Sequence, residues 1–208
     1  MAYLILVRHG QSEWNALGKW TGSADVSLTD RGKDEARQAA KTLEGITFGT
    51  VHVSDQKRAK QTLDVILEEL GQAAADTKTT PALNERDYGE LTGKNKWQVK
   101  EEYGTEQWMK WRRGWDDPVP GGETLKDVYD RAAPYYEKHI LTDLKSGQNV
   151  LVSASGNSLR AVVKHLENIA ESDIPGLEIG TGEVYCYEIE PETGRILAKD
   201  IKITGGKA

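Results

Sequence analysis

Three short segments carry the residue types that phosphate chemistry needs. Arg8-His9-Gly10-Gln11-Ser12, Ser54-Asp55-Gln56-Lys57-Arg58 and Ser155-Gly156-Asn157-Ser158 each close a short apolar run. Between them they supply cations, small hydroxyl residues, a histidine and the opening of a helix, whose free backbone N–H groups suit a phosphate. A neutral imidazole can accept a phosphoryl group on one ring nitrogen while a hydrogen bond holds the other. Arg8 and Arg58 can grip the transferring oxygens in a fork that lysine lacks. Such a clamp stabilises the charge that spreads over those oxygens during transfer. Taken singly each segment is weak evidence, because a lone histidine after a strand is structural more often than catalytic. The three together point to a phosphate site, provided that one sheet edge collects them.

The elements that would do so are legible in the pattern. Leu4 to Val7 reads as a buried strand. Thr29 offers an N-cap, and 30–43 has helix-forming composition with Ala36, Ala39, Ala40 and Leu43 on one stripe. Thr50 to Ser54 is a second short strand, and 57–70 a helix with Leu63, Ile66, Leu67 and Leu70 at helical spacing. Asn149 to Ala154 is another buried strand, followed by a helix over 157–168. Runs at 183–190 and 195–203, separated by Pro191-Glu192-Thr193-Gly194, predict a hairpin. The alternation predicts an α/β fold: three-layer, a mostly parallel sheet with at least one antiparallel strand, helices on both faces. In such sheets ligands sit beyond the carboxyl ends of the strands. The segment 84–123 stands apart, with four of the six tryptophans (Trp97, Trp108, Trp111, Trp115) and many charges. It reads as short helices and loops forming a helical/loop cap inserted within a single domain, 1–208, although a helical hairpin whose tryptophans only pack is the plainer alternative.

Composition narrows the function classes. A chain of 208 residues can bury roughly 70% of its unfolded surface, so it needs no disulfide or metal to hold a core. Cys186, the single cysteine, reads as a small packed residue of a strand and fits a reducing compartment. The apolar run at the N-terminus is too short for a signal peptide, and no stretch approaches the roughly 20 residues that span a bilayer. The expected location is cytoplasmic. The net charge of −6, with basic residues mixed among acids, argues against nucleic acid. An acidic protein still binds an anion where a few cations converge.

The motifs resemble those of a known family. LVRHGQSEWN at 6–15 is similar to the signature of the histidine phosphatase superfamily. Thr21-Gly22 followed by DVSLTDRG, SDQKRAKQT at 54–62, LNERDYGELTGKNK at 83–96, WRRGWDDPVPGGETLKDV at 111–128 and SGNSLRAVVKHLENI at 155–169 resemble, in order, blocks of its cofactor-dependent phosphoglycerate mutases. The resemblance covers nearly the whole chain. It implies a phosphorylated nucleophile at His9, phosphate ligands at Arg8, Arg58 and Asn15, and a general acid/base at Glu85. It places Gln11, Ser12, Thr21, Gly22, Arg86, Tyr88, Gly156 and Asn157 among the substrate contacts. Lys96, Arg112 and Arg113 become cap cations for the far phosphate or the carboxylate, where the residues alone would also allow a solvated charge pair. The implied reaction interconverts 3-phosphoglycerate and 2-phosphoglycerate, with 2,3-bisphosphoglycerate as phosphoryl primer and small phosphorylated three-carbon acids as partners. No metal is implied: the carboxylates have no ligand-like spacing, and arginines handle the charge. Two alternatives share the scaffold, a phosphatase acting on small phosphorylated metabolites and a non-catalytic phosphometabolite-binding relative.

One departure matters. The family's late motif begins His-Gly-Asn-Ser-Leu-Arg, and this chain has Ser155 at the histidine position. A serine donates one neutral hydrogen bond and carries no charge, so impaired transfer is expected. His52, His139 and His165 offer no convincing replacement; His165 lies ten positions further along one helix, roughly 15 Å away by helical rise. The segment between Trp115 and Glu123 is shorter than in longer members of the family, which leaves a monomer or a small homo-oligomer, with a slight lean to monomer. In the family the tail can fold over the site; here Thr204 to Ala208 is short, small and polar.

Overall fold

A computed structural model describes residues 1–72 and 76–202. The tail, Thr204 to Ala208, lies outside the described residues. In chain order the elements are β1 (Ala2–Arg8), α1 (Glu13–Ala16), α2 (Asp30–Lys41), β2 (Thr50–Ser54), α3 (Lys57–Glu69), β3 (Asp76–Thr80), α4 (Lys96–Arg113), α5 (Leu125–Tyr135), α6 (Leu141–Lys145), β4 (Val150–Ala154), α7 (Gly156–Glu167), β5 (Val184–Ile189) and β6 (Ile196–Lys202). The strands form one sheet in the order β3-β2-β4-β1-β5-β6. β1 through β4 pair in parallel, and β5 runs antiparallel to both β1 and β6.

The period-2 geometry of the strands explains how both faces are covered. Leu4 and Leu6 of β1, with Val150 and Val152 of β4, pack among Val128, Ala132, Leu159 and Val162 of α5 and α7. Ile5 and Val7, with Leu151, Val51 and Val53, pack among Ala36, Ala39, Ala40, Leu63 and Ile66 of α2 and α3. β1 and β4 are therefore buried on both sides and read as continuous apolar runs. Thr29 caps α2 through its side chain, accepting from Gly32 N at 3.1 Å.

β3 has no counterpart in the sequence reading. Its residues, Asp-Thr-Lys-Thr-Thr, are mostly exposed at the sheet edge, so there is no apolar alternation to betray it. The helix that follows the cap runs through α5, a π turn at Tyr136–Ile140 and α6. Pro134 lies just before that turn, where a missing N–H perturbs the hydrogen-bond ladder.

Within the cap, α4 is broken at Gly104, whose φ of 81° leaves the helical region. Tyr88, Leu91, Val99, Trp108, Trp111 and Val119 of the cap form a separate apolar cluster with Trp20. Trp108 and Trp111 thus serve as packing, whereas Trp97 remains 54% exposed. Among the described residues no helix is long and apolar enough to cross a membrane.

Candidate active site

The order β2-β4-β1 sets three parallel strands side by side, so their carboxyl ends lie at one edge. The three chemistry-bearing segments meet there. His9 N donates to Ala154 O at 3.0 Å, stitching the end of β1 to that of β4. Gly10 N donates to Thr62 Oγ1 at 3.1 Å, joining the same loop to α3.

His9 is 2% exposed. Its Nδ1 lies 2.7 Å from Gly10 O, which can only accept, so Nδ1 carries the proton. Arg58 Nε donates to Nε2 at 3.1 Å. Burial first, then the Arg58 and Arg8 charges, push the imidazole well below its ordinary pKa. The ring is neutral, with its lone pair on Nε2. Arg58 is itself held by Ala24 O at 2.9 Å, Gly22 O at 3.1 Å and Gln56 Oε1 at 2.8 Å.

Gln56 is a hub that sequence reasoning passed over. Its Oε1 accepts from Arg58, from Glu85 N at 2.9 Å and from Ser155 Oγ at 3.2 Å, while its Nε2 donates to Gly22 O at 3.0 Å. The available signal was its place two residues before Arg58, at the end of a strand. Ser155 is fully buried at the N-cap of α7.

Above these residues lies a cavity lined by Arg8, Asn15, Trp20, Thr21, Glu85, Tyr88, Lys96, Arg112, Arg113, Gly156, Asn157, Arg160, Glu178 and Ile179. Glu85 Oε1 accepts from Asn157 Nδ2 at 2.9 Å and from Arg86 N at 2.8 Å. Asn157 Nδ2 also donates to Tyr88 Oη at 2.8 Å, and burial pushes that phenol upward. Gly156 packs against Arg8, where a Cβ would come within 3.2 Å of Nε. Arg8 Nε and Thr21 Oγ1 are buried without a partner. Buried polar groups left unpaired are costly, and a ligand is one way of satisfying them. Lys96 is lowered to about 8 by burial and by the charges of Arg112 and Arg8. The Arg112 guanidinium stacks over Trp108, 4.9 Å from the ring centre.

Some expected contacts stand elsewhere. Arg86 does not line the cavity. Its guanidinium is fully buried and donates to Glu123 O at 2.5 Å, Trp111 O at 2.9 Å and Asp117 O at 3.2 Å, bolting the cap together. Gln11 is turned to α2, where its N donates to Glu35 and its Oε1 accepts from Thr29. Ser12 caps α1 through a reciprocal pair with Asn15. Gly22 reaches the site only through its carbonyl, which holds Arg58 and Gln56. His9, Arg58 and Ser155 lie behind the lining rather than in it.

Four lining residues were not singled out from sequence. Trp20 is an apolar wall, and Ile179 O accepts from Arg8 at 2.6 Å. Arg160 lies one helical turn after Asn157 and donates to its Oδ1 at 2.8 Å. Glu178 is ion-paired with Arg113 and lies 3.9 Å from Arg112. The remaining histidines are spent elsewhere: His52 is buried between Tyr135 and Asp143, His139 stacks on Tyr135, and His165 bonds to Tyr129 and Glu137. Cys186 is half-buried in β5.

Comparison with known proteins bears on the family and the fold. Residues 4–201 match the model of the histidine phosphatase superfamily, branch 1. The 2,3-bisphosphoglycerate-dependent phosphoglycerate mutase of Methylorubrum populi is 47% identical over 204 residues, covering 95% of this chain and 96% of that protein. The protein of the same name from Parvibaculum lavamentivorans is 43% identical over 202 residues, 96% of each. Among solved structures, a mycobacterial glucosyl-3-phosphoglycerate phosphatase complexed with VO3 superposes with a TM-score of 0.82 at 21% identity over the full length of both chains. Bacillus stearothermophilus YhfR gives 0.80 at 21% identity over 94% of each. These two structures establish the likeness of fold. With the family model spanning nearly all of the sequence and relatives this similar over nearly their full length, the chain belongs to the histidine phosphatase superfamily, in the family of 2,3-bisphosphoglycerate-dependent phosphoglycerate mutases.

Proposed function

We propose that this chain interconverts 3-phosphoglycerate and 2-phosphoglycerate through a phosphohistidine at His9. The observation that carries the reading is one small cavity that gathers Arg8, Lys96, Arg112 and Arg113 around Glu85, with the neutral imidazole of His9 following Arg8 in the chain and buried behind the lining. Arg8 comes from the sheet and the other three cations from α4 of the cap. Opposed cations of this kind suit a ligand that is anionic at both ends. The unpartnered Arg8 Nε and Thr21 Oγ1 fit a phosphorylated primer as well as a substrate. When bound, 2,3-bisphosphoglycerate would supply the first phosphoryl group.

The chain's own residues do the rest. His9 Nε2 offers its lone pair while Gly10 O keeps the ring oriented through Nδ1–H. Arg8 and Arg58 stabilise charge on the transferring oxygens. Glu85, fixed by Asn157 and the Arg86 amide, takes and returns the proton of the substrate hydroxyl. The cap cations hold the other end of the substrate while transfer takes place, and a covered site disfavours hydrolysis. Ser155, at the position of the family's second histidine, can add a hydroxyl but no positive charge.

The test is a mutase assay on 3-phosphoglycerate primed with 2,3-bisphosphoglycerate, comparing the chain with its Ser155→His variant. Losing one stabilising donor costs roughly 10²–10³ in turnover, so the histidine variant is expected to be faster by about that factor. Equal rates would show that the arginines carry transfer unaided. Phosphate release from 3-phosphoglycerate faster than isomer formation, in both forms, would replace the mutase reading with a phosphatase.

A further inference from the structure

The anion cavity contains an anion of its own. Of its lining residues only Glu85 and Glu178 are acidic. Glu85 is committed to Asn157 and to the Arg86 amide. Glu178 instead turns its carboxylate onto the cap cations, ion-paired with Arg113 and 3.9 Å from Arg112. Its neighbour completes the pattern: Ile179 O accepts from Arg8 at 2.6 Å. One two-residue segment thus occupies cations on both sides of the cavity, with a carboxylate at one end and a carbonyl at the other.

We propose that Glu178 is a specificity-determining residue, an internal competitor that holds the cap arginines and weakens the binding of an anion the more, the higher the charge that anion carries. The proposal deepens the reading given above and names how that same site selects its ligands. Its side chain is 31% exposed, so it can move aside into water without an unpaired buried charge. Its segment lies between the short turn Ile174–Gly176 and β5, outside the sheet and the long helices. A carboxylate in this place has two effects. It lowers the cavity's net positive charge, and it repels any ligand in proportion to the ligand's own charge. An acid bearing both phosphate and carboxylate must displace it from Arg112 and Arg113 and meets the larger penalty, so its hold on the cavity is moderated most. Arg113 joined to Glu178 is also kept in the cavity while the site is empty, which limits the side-chain ordering that binding requires.

The experiment is calorimetric binding of inorganic phosphate, 3-phosphoglycerate and 2,3-bisphosphoglycerate to the full chain and to its Glu178→Gln and Glu178→Ala variants. Thermal melts check that each variant is folded. Both variants are expected to bind more tightly, by about threefold for phosphate and about tenfold or more for the bisphosphate, with the gain rising with ligand charge. Weaker binding by both variants would overturn the proposal and make Glu178 a residue that orients Arg113. Unchanged affinity, or a gain independent of ligand charge, would overturn it as well. The readout is binding, so it is separate from the mutase reading. Failure of isomerisation with the expected affinity ladder would sink the proposed reaction and leave the role of Glu178 standing.

Discussion

Arg58 Nε donates to His9 Nε2 across 3.1 Å, so in the proposed reaction the cation that grips the phosphoryl group also masks the lone pair that receives it. The bond defines the tautomer from one side as Gly10 O defines it from the other. A phosphoryl group transferred to His9 as proposed would take the place of the guanidinium N–H, with Arg58 retained nearby by Ala24, Gly22 and Gln56.

A neutral buried His9 makes stability depend on pH with a defined sign. The folded pKa is depressed below the ordinary 6.5, so below that pH the unfolded chain binds a proton that the folded chain refuses. Stability is then full above about pH 7 and falls as the pH drops, by up to about 1.4 kcal/mol per pH unit for one such group. His52, depressed chiefly by burial, acts in the same direction. Urea unfolding at pH 7.5 and 5.5 should show a smaller loss in the His9→Asn variant than in the parent chain. Identical losses would mean that His9 is not held neutral.

Lys96 should impose a second pH dependence, this time on binding. With its pKa lowered to about 8, it loses its charge as the pH rises through that value. The affinity for 3-phosphoglycerate should decline severalfold between pH 7 and 9, roughly what one partly screened charge provides. A Lys96→Arg variant keeps its charge and should flatten the profile over this range. A profile that is the same in both proteins would assign the pH dependence to another group.

Arg86→Leu should act on stability. The substitution leaves the carbonyls of Glu123, Trp111 and Asp117 without their donor inside the cap. Unsatisfied buried acceptors cost about 1–3 kcal/mol each before relaxation, so a net loss of about 2–4 kcal/mol is expected by chemical denaturation. A change confined to KM with the unfolding midpoint unmoved would return Arg86 to the substrate.

Gly32→Ala should reverse the usual helix preference. Alanine ordinarily gains about 1 kcal/mol over glycine in a helix. Here a Cβ at Gly32 would overlap Gln11 O, and one at Gly10 would overlap Gly32 O. The loop that bears His9 crosses the first turn of α2 backbone to backbone. A loss of about 1–3 kcal/mol is expected for Gly32→Ala, together with reduced turnover. A stabilised variant would show that the loop can move away.

By itself the sequence determined the α/β alternation, the hairpin at the end and the three strand-end segments, because those features are local. A strand buried on both faces is a run of apolar residues, a helix has a stripe, and Thr29 caps where its hydroxyl can reach Gly32 N. The polar edge strand Asp76–Thr80 left no such trace, since neither of its faces is consistently buried. Charge was equally ambiguous along the chain. Arg86 and Arg113 are both arginines in motif blocks, yet one is consumed by carbonyls and the other lines the cavity.

Only the tertiary structure decided those assignments, because a hydrogen bond between residues distant in sequence depends on where the backbone brings them. The Gln56 hub spans 99 positions to Ser155, and Glu178 meets Arg113 across 65. The sequence determined which residues could bear the chemistry. The tertiary placement of Gly10 O and Arg58 around His9 decided which ring nitrogen is free of its proton, and the placement of α4 and Glu178 decided which cations line the cavity and which carboxylate already pairs with them.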